Sequence, residues 1–167
     1  MKKVYIPILF IIAFISFGAC EKDDICVDGD TPLMVIRFYD VDNPTVLKKV
    51  TKLRIVGVGQ NTTVTTVSDR TDLDSIAIPL RVAEESSGFY FINNSSEVDS
   101  VEVGDLDTLY FNYTRKDKFV SRACGYIANY ETLSSDLKTE TDNWIKEIEI
   151  VTPMVENSTT AHVKIFH

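Results

Sequence analysis

The sequence predicts an all-β protein: an antiparallel two-sheet sandwich, immunoglobulin-like in architecture but not a true immunoglobulin domain, with a β-barrel as the alternative. Three observations predict it. Apolar residues recur at every second position in several short runs, the period of a strand with one buried face. Clusters rich in Gly, Asn, Asp and Ser separate those runs, and such residues favour turns. Only Glu131–Asn143 has helical spacing, with Leu133 and Leu137 four apart, and it is too polar to anchor a layer.

Taken in chain order, Met34, Ile36 and Phe38 alternate within Leu33–Asp40. Lys52–Val58 and Thr62–Ser68 are the next strand candidates, divided by a turn from Gly57 to Asn61. Ile76, Ile78, Leu80 and Val82 then share one face. Pro79 has no amide to donate, which places that strand at a sheet edge. Phe89–Asn93 and Glu97–Val103 follow, bounded by Ser86-Ser87-Gly88, Asn93-Asn94-Ser95 and Gly104-Asp105. Leu109, Phe111 and Tyr113 alternate with Thr108, Tyr110 and Asn112. Phe119–Tyr130, Ile145–Val151 and the alternating Ala161, Val163 and Ile165 complete the set. Trp144 follows Cys26 and Cys124 instead of lying between them, unlike an immunoglobulin domain, and reads as a core or edge aromatic.

The chain has 167 residues and divides into three parts. Met1–Ala19 has the layout of a secretory signal: Lys2 and Lys3, an apolar stretch from Val4 to Ile15, then mostly small residues up to Cys20. The apolar stretch is shorter than the roughly 18–20 residues a permanent membrane helix needs. The alternative is an anchor that is never cut. Residues 20–25 form an acidic tether and residues 26–167 a single domain. Losing the two lysines takes the formal net charge from −8 to −10. Such a charge opposes nucleic-acid binding, which needs Lys and Arg against phosphate. It also opposes overall attraction to anionic lipid, so membrane attachment must come from acyl chains.

Phe17-Gly18-Ala19-Cys20 resembles the lipobox of bacterial lipoproteins, with Phe17 where leucine is usual. The resemblance implies that the Cys20 thiol is diacylglycerylated and that the signal is cleaved before it. One acyl chain binds a membrane marginally, whereas two or three hold firmly. The alternative is an ordinary signal peptide with a coincidental cysteine. Glu21-Lys22-Asp23-Asp24 is similar to the surface-export signal of Bacteroidota lipoproteins, which implies that Lys22, Asp23 and Asp24 route the protein to the outer face of the outer membrane. A solvated charged tether, leaving the protein on the periplasmic face, is the alternative.

With Cys20 lipidated, Cys26 and Cys124 remain. In an oxidising compartment such a pair is expected to form a disulfide. That bond would pin the start of the domain, six residues from the lipid, to the strand around Cys124. A catalytic Cys124 would need an activating base, and neither His162 nor His167 lies in a nucleophile motif. His162 alternates with apolar Val163 and Ile165, which places it on a solvated face, and a single histidine does not build a zinc site. Asp40-Val41-Asp42-Asn43 and Asp28-Gly29-Asp30 space oxygen ligands as calcium loops do, but neither continues into the full pattern, so both read as turns. No cofactor or metal site is expected.

Arg115-Lys116-Asp117-Lys118 is the one basic cluster and reads as a charged hairpin tip, with contact to an acidic partner as the alternative. Asp74-Ser75-Ile76, Asp99-Ser100-Val101 and Asp107-Thr108-Leu109 resemble the O-glycosylation site of Bacteroidota, implying Ser75, Ser100 and Thr108 as acceptors. The same order of residues also suits the start of a strand. The stretch from Cys20 to Asp40, Ala123-Cys124-Gly125-Tyr126 and the ending Ala161–Ile165 together resemble a family of small Bacteroidota outer-membrane lipoproteins of unknown function. The resemblance implies an address and a disulfide, and no activity.

The expected function is therefore non-enzymatic: a lipid-tethered binding or scaffolding module whose partner is an envelope protein or a glycan. The alternatives are an envelope enzyme, such as a glycan hydrolase with paired carboxylates, and a structural subunit of an envelope complex.

Overall fold

The computed structural model describes residues 26 and 29–167. Nine strands follow one another: β1 (Met34–Tyr39), β2 (Val50–Gly57), β3 (Thr71–Leu73), β4 (Ser75–Ile78), β5 (Ser86–Val98), β6 (Val101–Ser121), β7 (Gly125–Leu137), β8 (Glu147–Ile150) and β9 (Val163–Phe166). They form two sheets, ordered β4-β1-β9-β8 and β3-β2-β5-β6-β7. The protein is a sandwich and not a closed barrel.

The apolar alternation explains the core. Met34, Ile36 and Phe38 of β1 are fully buried, with Ile76 and Ile78 of β4 and Val163 and Ile165 of β9 beside them. Leu53 and Ile55 of β2, Phe89 and Phe91 of β5, and Leu109 and Phe111 of β6 face them from the second sheet. Trp144, 8% exposed, packs against Phe38 and donates its indole N–H to the Phe91 carbonyl at 3.2 Å. β4 is an edge strand, and Pro79 follows its last residue, where no ladder amide is required.

The first sheet is mixed, not purely antiparallel. β1 and β9 run parallel, in the register Ile36↔Val163 to Tyr39↔Phe166. Parallel neighbours need a long crossover, and the whole second sheet lies between these strands in sequence. The chain changes sheets at Asp74, between β3 and β4, where the Phe38 amide donates to the Asp74 carbonyl at 2.9 Å.

Several local expectations are corrected. Glu131–Leu137 is strand, not helix, because a spacing of four places Leu133 and Leu137 on one face of a strand as readily as on one face of a helix. Thr62–Ser68 is a loop tied to β2 by one bridge, Val56↔Thr63. Val82 is exposed, since β4 ends at Ile78. Glu97–Val103 straddles the β5–β6 turn, and Phe119–Tyr130 folds back at residues 122–124. Ser86–Gly88 and Gly104-Asp105 lie inside strands, and Asn93–Ser95 marks a bulge within β5. Asn94, at φ 54°, takes the left-handed conformation there.

Candidate functional site

β6 is 21 residues long and sets the layout of the molecule. At its start, the β5–β6 turn passes through Asp99 and Ser100, both with positive φ. At its end, the β6–β7 turn lies between Ser121 and Gly125. A rise of about 3.3 Å per residue sets these two tips on the order of 60 Å apart. β5 pairs with β6 only as far as Ser86↔Asn112, whereas β7 follows it out to Ser121↔Gly125. Residues 116–121 and 125–129 therefore form a two-stranded ribbon, inward of which Tyr130 is also bridged to Val155.

An isolated ribbon is marginal in water, and this one is reinforced. Cys26 and Cys124 are joined by a disulfide across a sequence separation of 98, with Cα atoms 4.9 Å apart. Gly29 lies directly against the Cys26 and Cys124 sulfurs, where a β-carbon would collide with them. The Ala128 amide donates to Thr31 Oγ1 at 3.4 Å, so the entering segment runs beside β7. Lys116 pairs with Glu131 across the strands at 2.6 Å, and Arg115 pairs with Asp117 at 2.6 Å. The Arg115–Lys118 cluster is thus in the shaft of the hairpin and not at its tip, because pairing continues beyond it to Ser121.

Inward of the ribbon lies an open groove of about 540 Å³. Its lining residues include Glu84, Glu85, Asn112, Thr114, Thr132 and Ser134. Tyr113 forms its inner wall. Ser87 Oγ and Tyr113 Oη are 2.6 Å apart, and Tyr113 donates to the Arg81 carbonyl at 2.9 Å. The Arg81 amide donates to Ser87 Oγ at 2.8 Å, closing the ring of bonds. The Tyr130 ring stacks edge-on to Tyr113 at 4.9 Å, and its hydroxyl donates to the Leu80 carbonyl at 3.2 Å. Burial drives both phenols upward, Tyr130 to about 12, so both remain neutral donors near neutral pH. The groove can bond a hydroxylated or amide-bearing ligand through its mostly polar lining.

Near the other tip, Glu102 gathers Arg54 and Arg70, each at 2.9 Å, and accepts a bond from Ser95. Burial pushes the Glu102 carboxyl up, but the bonds from Ser95 and Arg70 and the two guanidinium charges outweigh it, leaving it below its ordinary value. Arg70 is held in the left-handed region at φ 51° by a bond from its amide to the Leu53 carbonyl. Sequence spacing does not foretell this cluster, since its members come from β2, β5, β6 and the loop before β3.

Other expected sites find these positions. Ser75 is exposed at the start of edge strand β4, and Ser100 is exposed in the β5–β6 turn. Thr108 is only 4% exposed, enclosed between β5 and β7, so the folded domain shields its hydroxyl. Cys20, Lys22, Asp23 and Asp24 lie outside the described residues, as does Asp28. Asp40 is a turn residue: its carboxylate accepts the Asp42 amide at 2.8 Å and the Asn43 amide at 3.1 Å. Among the described residues, no three His, Cys, Asp or Glu side chains converge as metal ligands.

His162 is not on a solvated face. It is fully buried, and its Nδ1 accepts the Val35 amide at 3.0 Å. The residue precedes β9, which lies between β1 and β8, so its flank is covered by neighbouring backbone. Burial lowers its pKa, favouring the neutral ring. Asp107 is a second buried polar group. It is 1% exposed, and its carboxylate accepts the Ile145 amide at 2.7 Å and the Asn143 side-chain amide at 2.8 Å. Burial raises its pKa, against the pull of those bonds.

These features define a disulfide-stapled β-sandwich with a projecting hairpin and a polar groove. Residues 52–167 match a family of unknown function, DUF6452, and the chain belongs to that family. Comparison with curated proteins and with solved structures found no match.

Proposed function

We propose that the protein is a lipid-anchored envelope lipoprotein, attached to the outer membrane through Cys20 and exposed at the cell surface. Its sandwich is a non-enzymatic module that binds or scaffolds a protein or glycan. The carrying observation is the Cys26–Cys124 bond. It ties the domain to the hairpin tip six residues after the proposed acyl attachment, so an anchor at Cys20 would pull on a reinforced point of the fold. A disulfide also suits an oxidising compartment.

The polar groove supports the binding role. Its polar lining residues resemble what hydroxyl-rich ligands require, and the Arg81–Ser87–Tyr113 ring holds its inner wall in place. Pre-set polar groups bind without ordering costs of their own.

The test is protease shaving of intact cells that express the full chain, beside a Lys22-Asp23-Asp24→Ala variant, with capture of whatever remains bound. Loss of the native protein but retention of the variant supports surface display. A native chain that keeps residues 1–19, or carries an unmodified Cys20 thiol, overturns the anchoring.

A further inference from the structure

We propose that the β6–β7 hairpin tip is a second membrane contact, in which Phe119 and Tyr126 seat among lipid headgroups while Lys118 and Arg122 meet their phosphates. Phe119 and Tyr126 are directly opposed across the ribbon, ring centroids 5.3 Å apart, and so project from one face. They are 55% and 70% exposed. Such an exposed aromatic pair offers a surface that a partner can cover.

Three observations identify the cover as a lipid surface. The first is where the chain enters. Cys26 is bonded to Cys124 in the turn itself, and six residue steps separate it from Cys20. At about 3.3–3.6 Å per step, the acyl attachment lies within roughly 20 Å of the tip. This step rests on the reading of Cys20 as the anchor. The second is charge. The protein is strongly acidic, yet Arg115, Lys116, Lys118 and Arg122 gather at this end against a single Asp117 on the same stretch. Arg115 and Lys116 are engaged by Asp117 and Glu131, whereas Lys118 and Arg122 form no ion pair among the described residues. Lys118 and Arg122 are thus two cations that headgroup phosphates can engage. The third is chemistry. Rings with an apolar body and, in Tyr126, a polar end favour the membrane–water interface.

A tip contact would fix the orientation of the tether. The long axis of β6 would stand away from the bilayer, presenting the groove above it and the Glu102 cluster at the far end.

The test uses the chain from Cys20 onward, which keeps every described residue. The Cys20 thiol is coupled to a maleimide-headgroup lipid in vesicles of phosphatidylethanolamine and phosphatidylglycerol, so tethering does not depend on natural acylation. Phe119→Trp and Val101→Trp report on the two tips, against the background of buried Trp144. Val101 is 61% exposed at the opposite turn. With lipids brominated at shallow acyl positions, emission from position 119 should fall about twofold and that from position 101 should not change, as interfacial insertion of about 5–10 Å requires. Lys118→Glu with Arg122→Glu should weaken the quenching, as should high salt. Equal quenching at both positions, or none at 119, overturns the proposal; the latter would point to a protein as the cover. An unmodified Cys20 in the native protein would instead overturn the anchoring and leave this measurement standing.

Discussion

The Val35 amide donates to His162 Nδ1 at 3.0 Å, joining β1 to the residue before β9 with the ring wholly enclosed. The return bond runs from the His162 amide to the Val35 carbonyl at 2.9 Å. Nδ1 must therefore be unprotonated, and the proton of the neutral ring sits on Nε2, which has no partner among the described residues. The pair extends the parallel β1–β9 contact on which the first sheet depends.

Acid should weaken the fold through this ring. Burial lowers the His162 pKa below its usual 6.5, and His167 is lowered in the same way. The unfolded chain then binds protons that the folded one refuses, so stability is complete above about pH 6.5 and falls as pH drops below it. Urea midpoints between pH 8 and pH 5 should show that decline. His162→Leu should make it shallower, leaving the His167 share, and cost about 1–3 kcal/mol at pH 8, because the Val35 amide loses its acceptor. An unchanged slope in that variant would contradict the assignment.

Removing the staple should cost stability without abolishing the sandwich. A bond closing a loop of 98 residues contributes at most about 4.7 kcal/mol in the chain-entropy account, and typically about 2–4. Cys26→Ser with Cys124→Ser should lower the urea midpoint accordingly. A reducing agent should do the same to the native chain and nothing further to the variant. Early proteolytic cuts should move to residues 116–129.

Gly104 is irreplaceable for steric reasons. Its φ is 152°, and an added β-carbon would lie 2.8 Å from both the Asn93 carbonyl oxygen and an Ile92 methyl. A carbonyl on a paired strand cannot move aside. Gly104→Ala should therefore destabilise by more than the ~1 kcal/mol by which a well-tolerated Gly→Ala change stabilises; calorimetry would show a lowered Tm.

The Glu102 cluster should be partly acid-labile. With its carboxyl held below the ordinary value, Glu102 contributes stability above about pH 4.5, the unfolded value, and loses it as pH falls further. The side chain is 30% exposed, so screening limits the effect. Glu102→Gln should cost about 1 kcal/mol near neutral pH and remove the acid component in that range. If Arg54→Met costs as much in the Glu102→Gln background as in the native chain, the two are uncoupled.

Much of the architecture was legible in the sequence because burial on one face leaves a period of two. Met34, Ile36 and Phe38 alternate whatever lies opposite them, and so do Leu109, Phe111 and Tyr113. Strand ends were less legible. Asn93-Asn94-Ser95 reads as a turn, yet positive φ at Asn94 is equally satisfied by a bulge inside one long strand. Leu133 and Leu137 suit two periods at once, and only pairing with β6 decides between them.

Residue pattern alone determined the all-strand class and the buried stripes, because these follow from local periodicity and composition. Tertiary structure decided which strands are neighbours, including the parallel β1–β9 pair, and where single polar residues go. His162 lies in an alternating run yet is enclosed, and Asp107 carries a charge-bearing group to the core face. The reason is that the cover on a strand's second face, and the partners that make a buried polar group tolerable, come from segments far away in the chain.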